Sequence, residues 1–150
     1  MDLGQTLEIS ASGLRAQRLR LDVVASNLAN AGSTRNADGT GPYRRRAVVF
    51  RSAPVEHGFE QALQSSTQAR AVRTVEVARI VEDQSPPRMV HNPEHPDANE
   101  EGYVAYPNVN TVTEMVDLMT ATRSYEANVQ AIHALRAMSE AALSIGASGR

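Results

Sequence analysis

Residues 3–31, "LGQTLEISASGLRAQRLRLDVVASNLANA", decide the fold. Leu7, Leu14, Leu21 and Leu28 recur every seven residues, with Ala11, Val24 and Ala25 between them, which is the spacing of a helical apolar seam. Gln17 and Arg18 interrupt it, and Gly4 and Gly13 each cost about 1 kcal/mol of helix propensity relative to Ala. Such a helix is marginal alone. At 1.5 Å per residue it reaches about 40 Å, and its narrow stripe needs a partner.

The end of the segment, "SNLANAGS" at 26–33, places Asn27 and Asn30 on nearly the same helical face while Leu28 and Ala31 continue the apolar positions. Two outcomes are open. Asn30, Ala31 and Gly32 can be a fraying terminus with Gly32 as a left-handed cap. Alternatively, the amides bond across packed helices, where a buried Asn fixes register at some cost in stability. Ser26, Asn27 and Asn30 form the candidate register group.

The far end of the chain supplies a second helix. Over 111–145 apolar residues fall at Val112, Met115, Met119, Val129, Ile132, Leu135 and Met138, with Tyr125 in their path. Thr111 followed by Glu114 is a capping-box pattern, Pro107 lies just upstream, and Gly146 and Gly149 mark the stop. An ordinary two-helix core and an intermolecular seam both fit these stripes. Helices this long bury little unless they pack along each other and then along neighbours. For that reason the terminal arms are expected to be largely disordered in the free chain, since ordering costs about 1–2 kcal/mol per residue.

Between the helices, residues 32–110 change character. "GSTRNADGTGP" is a turn-rich loop. "YRRRAVVF", "AVRTVEVARIVE" and "GYVAY" read as three strands, the second with Val75, Val77, Arg79 and Val81 on one face. "QSPPRMVHNPEHPDANEEG" is too rich in proline for a helix, and residues 52–68 read as a loop with at most one helical turn. The expected fold is mainly α with a small β part. Residues 1–31 and 111–145 pair as one discontinuous, coiled-coil-like helical domain, 32–110 form a β-hairpin-rich middle, and 146–150 are a tail.

Composition narrows function. Aromatic residues make up 4% of the 150, with no Trp, so the large anchors of a thick core are scarce. Net charge is −2 and all 15 basic residues are Arg, which gives no long-range pull towards nucleic acid or anionic lipid. There is no Cys, which excludes disulfides and thiolate catalysis. "MDLGQTLEIS" lacks the features of a secretory signal, and no run approaches the roughly 20 apolar residues of a membrane span.

Candidate chemistry is weak throughout. His91 and His95 frame "HNPEH" beside Glu94, Asp97, Glu100 and Glu101, but Pro93 prevents the helix that would align the two imidazoles on a metal. Arg44, Arg45 and Arg46 are the one basic run; in a strand at most two share a face, so a solvated or acid-paired strand is favoured over nucleic-acid binding. "GTGP" lacks the Lys of a phosphate loop, and His57 and His133 have no nucleophile nearby in sequence. No catalytic residue, cofactor, metal or small-molecule substrate is expected.

"SGLRAQRLRLDVVASNLANAGS", followed by a turn-rich loop and "GPYRRRAVVF", resembles the N-terminal signature of the bacterial flagellar rod and hook axial proteins. "NPEHPDANEEGYVAYPNVNTVTEMVDLMTATRSYEANVQAI" narrows this to their proximal-rod basal-body members, with the match running from about Ile9 to Met138. Gly32 and Ser33 depart from the usual Asn and Thr of the motif.

The resemblance implies an inner domain of paired terminal helices around the axis of a tubular rod, with an outer hairpin. It also implies torque transmission through the periplasm, and export by the flagellar type III apparatus without a cleaved signal. The implied partners are copies of the chain, other rod proteins and adjacent basal-body components, with no membrane insertion. The interface residues expected are Leu7, Leu14, Leu21, Ser26, Asn27, Leu28 and Asn30. Opposite them stand Met115, Met119, Tyr125, Asn128, Val129 and Ile132, with Arg123 and Glu126 as inter-helix ion-pair candidates. The rival expectations are a cytosolic coiled-coil adaptor and a metal-dependent enzyme on His91 and His95.

Overall fold

The computed structural model describes residues 3–36, 39, 41–54 and 73–147. Helix α1 spans Leu3–Ala29 and helix α2 spans Thr111–Ala147, both within two residues of the expected limits. Between them, among the described residues, lie four strands: β1 (Arg46–Pro54), β2 (Arg73–Glu82), β3 (Arg88–His91) and β4 (Tyr103–Tyr106). The expected loop over 52–68 and His57 fall mostly or wholly outside the described residues.

The strands make two two-stranded sheets, β1 with β2 and β3 with β4. β3 and β4 are antiparallel, with Arg88 opposite Tyr106 and His91 opposite Tyr103. The sequence reading missed β3, because Pro86, Pro87 and Pro93 crowd a segment of four residues. Those prolines flank the strand instead of interrupting it, which leaves its ladder donors intact. Gly102 closes the hairpin at φ +77°, and a Cβ there would stand 3.1 Å from His91 Nε2 and from Pro93 Cβ. Both the backbone angle and the space require glycine.

The end of α1 does not use the Gly32 cap, one of the two outcomes the sequence left open, and the start of α2 is capped one residue earlier than expected. Gly32 is not left-handed, unlike Gly39, Gly41 and Gly102. α1 ends through Asn30, whose backbone N–H (3.1 Å) and side-chain Nδ2 (2.9 Å) both donate to the Ser26 carbonyl. Tighter bonds from Ala31 to Leu28 and from Ser33 to Asn30 finish the turn. At the start of α2 the cap is Asn110, with Oδ1 accepting from Val112 N (3.0 Å) and Thr113 N (3.3 Å). Thr111 is therefore the first helical residue, and the Glu114 side chain is released from a capping box for other work.

The chain divides into two compact units. One comprises residues 1–18, 50–78 and 122–150; the other comprises 19–49 and 79–121. In the second lie most of the buried side chains: Val23, Val24, Asn27, Tyr43, Val104, Glu114 and Ala121. In the first, Ser12 and Ala16 are buried, and Ser12 Oγ accepts the Val75 N–H at 3.2 Å. A Cβ on Gly13 would stand 3.0 Å from Asn128 Nδ2, so this glycine marks a close approach of α1 to α2.

Candidate functional site

In the unit of 19–49 and 79–121, Asn27 is fully buried near the end of α1, and every hydrogen-bonding position of its amide is used. Nδ2 donates to the Arg46 carbonyl (2.7 Å) and to Glu114 Oε2 (2.9 Å). Oδ1 accepts from Tyr43 Oη (3.0 Å) and from the Arg46 N–H (2.9 Å). One side chain thus joins α1, the entry to β1 and the first turn of α2.

Glu114 is equally buried and takes a second donor, Arg45 Nε, on Oε1 at 2.7 Å. Arg45 continues to Asp117 at 3.8 Å, and Asp117 accepts from Arg20 of α1 at 2.9 Å. Tyr43 lies 3.3 Å from Ser26 Oγ and carries the Arg46 guanidinium 5.7 Å from its ring centre. Burying a carboxylate costs several kcal/mol unless a cation and further donors meet it, and here both do. Within this unit the contacts 20 to 117 and 27 to 114 rise along α1 and fall along α2, so the two helices run antiparallel there. A shift of one helical turn would strand every member of the network.

The leucine seam is elsewhere on α1. The buried positions Ser12, Ala16, Val23 and Asn27 define one face, while Leu7, Leu14, Leu21 and Leu28, all half-buried, lie roughly 160° round the helix at 3.6 residues per turn. Leu7, Leu14, Leu21 and Leu28 thus lie away from the face of α1 that carries Asn27. Small and polar residues form the inner face, because α1 and α2 approach closely at Gly13 and lock through amide and carboxylate at Asn27.

α2 repeats the arrangement. Its inner face carries Glu114, Ala121 and half-buried Tyr125, Asn128 and Ile132, with Val129 also half-buried at its margin. On the opposite face Val112 (66% exposed), Met115 (48%), Val116 (58%) and Met119 (58%) form an apolar stripe at spacings of three and four. Arg123 and Glu126 are exposed on that outer side, and neither enters an ion pair among the described residues. The pairs that link the helices use Arg20 with Asp117 instead.

The basic run is acid-paired, as the sequence suggested. Arg45 meets Glu114, Arg46 meets Glu82 (3.1 Å), and Arg44 bonds Gln84. His91 lies edge-on to Tyr103 at 5.1 Å and His95 to Tyr106 at 6.4 Å. His95 Nδ1 accepts the Asp97 N–H at 3.1 Å. Asp97 in turn accepts from Thr34 at 2.6 Å and pairs with Arg35, which ties the β3–β4 loop to the turn after α1. The Thr34 hydroxyl, and after it the Arg35 guanidinium, hold the Asp97 carboxyl below the usual carboxylate range.

Missed in the sequence were Tyr43, Arg46 and Glu114 as partners of Asn27, and Arg45 as the partner of Glu114. Among the described residues no helix is long and apolar enough to cross a membrane.

Comparison with known proteins gives consistent matches. The family described as "Flagella basal body rod protein" matches residues 7–42, and "Flagellar basal body rod FlgEFG protein C-terminal" matches residues 100–145. The chain is 47% identical to the flagellar basal-body rod protein FlgC of Bacillus subtilis, covering 94% of this chain and 96% of that one. It is 40% identical to FlgC of Borreliella burgdorferi, covering 97% and 98%. The identity to FlgC of Salmonella typhimurium is also 40%, covering 97% and 99%.

Proposed function

The chain belongs to the FlgC family of flagellar basal-body rod proteins, and on that premise we propose how it builds the rod. It is a structural subunit of the bacterial flagellar basal body, assembling with other rod components. The adaptor alternative finds no support in these relatives. The finer reading concerns the contacts. Subunits join head to tail through their terminal helices in an interface that does not close on itself, so that copies and related rod proteins continue a helical tube. This tube is the proximal rod, carrying motor torque across the periplasm through close-packed interfaces that transmit strain. Subunits reach it through the flagellar type III apparatus.

The observation that carries this reading is the pair of outer stripes. The inner faces of α1 and α2 hold small residues, Val23 and the Asn27–Glu114 pair, while half-buried Leu7, Leu14, Leu21 and Leu28 on one helix and exposed Val112, Met115, Val116 and Met119 on the other lie on the outer sides. A chain finished by itself would place its apolar face inward. The inner group, Ser26, Asn27, Asn30, Tyr125, Asn128 and Ile132, then sets the register in which the outer residues are presented. Met119→Asp tests the division. Because Met119 is mostly exposed, the isolated chain should keep its helicity and lose no more than about 0.5 kcal/mol. Rod incorporation and swimming should fail. Normal swimming with Met119→Asp, and likewise with Leu21→Asp, would remove the stripes from the interface.

A further inference from the structure

The chain has no cysteine and five methionines, so thioethers are its readily oxidised sulfurs. Methionine usually fills gaps in cores. Here the four described ones, Met89, Met115, Met119 and Met138, are all about half exposed or more. Met115 and Met119 differ from the other two in context: they sit one turn apart within the exposed stripe completed by Val112 and Val116. We propose that Met115 and Met119 are a peroxide-sensitive modification site whose oxidation withdraws the unassembled subunit from rod assembly.

In the reaction, hydrogen peroxide transfers one oxygen to the thioether sulfur. An S=O bond forms, the O–O bond breaks, water leaves, and sulfur loses two electrons to the peroxide. Each event converts a flexible apolar side chain to a polar one with a strong acceptor. Two adjacent sulfoxides would break the stripe in its middle while leaving the inner face of α2, with Glu114 and Ala121, untouched. The oxidised chain should therefore stay folded and fail at its contacts. In the assembled rod, the same sulfurs are covered and protected.

The inference rests on the assembly reading of the stripe, and the experiment separates the two. Purified chain is treated with hydrogen peroxide and its sulfoxides are mapped by peptide mass spectrometry, with helicity followed by circular dichroism. Met115 and Met119 should convert along with Met89 and Met138, without loss of helix.

In a strain lacking its own copy, the wild-type chain and a Met115→Leu/Met119→Leu double variant are then induced with and without sublethal peroxide. New basal bodies containing the chain are counted. Counts for each chain are taken relative to its own untreated culture, so that any change the Leu variant itself makes in the stripe cancels. With peroxide the wild type should fall about tenfold or more below the Leu variant, which a loss of about 1.4 kcal/mol at the interface would give. An equal fall for both overturns the inference and leaves the stripe intact. Failure of untreated Met119→Asp to disturb assembly overturns the reading of the stripe instead.

Discussion

The two compact units of this chain are built on the same two helices and the same β1–β2 ribbon, yet they close differently. In the unit of 19–49 and 79–121, Asn27 and Glu114 are fully buried, and Tyr43, Val104 and Ala121 are buried as well. Among the described residues of the other unit the buried positions are Ser12 and Ala16, and α2 from Arg136 to Ile145 is exposed at nearly every residue, including Leu143 and Ile145. One region is specified by a satisfied polar network, the other by small residues and an apolar surface left open. Local stability follows the density of buried contacts, so the first should hold its shape in the free chain and the second should fray. The expectation that the terminal arms order on assembly is thereby sharpened to the helix ends that lie in the unit of 1–18, 50–78 and 122–150.

The largest effect should come from removing the centre of the network. Asn27→Ala leaves Tyr43 Oη, the Arg46 N–H and carbonyl, and one Glu114 oxygen without their partner. The expected loss is about 3 kcal/mol or more in urea unfolding followed by circular dichroism. Asn27→Asp should do no better, since it sets a second carboxylate against Glu114. A loss below about 1 kcal/mol would mean that the network decorates the fold and does not hold it.

Gly13→Ala probes the sparser unit. Helix propensity favours Ala by about 1 kcal/mol, against which Asn128 must move its amide by a few tenths of an ångström. Asn128 is half-buried and the contact is the tip of its side chain, so the variant should gain under about 1 kcal/mol of thermal stability. A marked loss would show that the approach of the helices at this point is as strictly set as at Asn27.

Smallest is Asp97→Asn. The Asp97 carboxyl is depressed in the folded chain, so its stabilising effect is complete above the unfolded value of about 3.9 and is lost as pH falls through the folded value. The variant should flatten the acid limb of amide exchange in the β3–β4 loop below about pH 4 and leave the helices unchanged. An unaltered acid limb would remove Asp97 from the attachment of that loop to Thr34 and Arg35.

The long helices were legible because period and caps are local properties, and Asn27 stood out as a polar residue within an apolar repeat. Its partner did not. Glu114 sits three residues after Thr111, a spacing that fits a capping box so well that a buried role had no separate signal; Asn110 took the cap and freed it. The leucine heptad was real as a pattern, but which face of a helix turns inward depends on what the other helix offers. Here α2 offers a carboxylate and the close approach at Asn128. β3 was hidden since four residues between prolines carry no periodicity. Gly13, read as a weak point, turned out to be a contact, because a glycine's neighbour cannot be seen in its own segment.

Hydrogen exchange followed residue by residue, on dilute chain and again on intact basal bodies, tests most directly the claim that neighbours complete the open ends. In dilute chain the amides around Asn27 and over 114–121 should be slow while those of 136–147 exchange almost as fast as an unfolded peptide, and incorporation into the rod should slow the latter group sharply. Uniformly slow exchange along both helices in dilute chain, unchanged on assembly, would contradict the account.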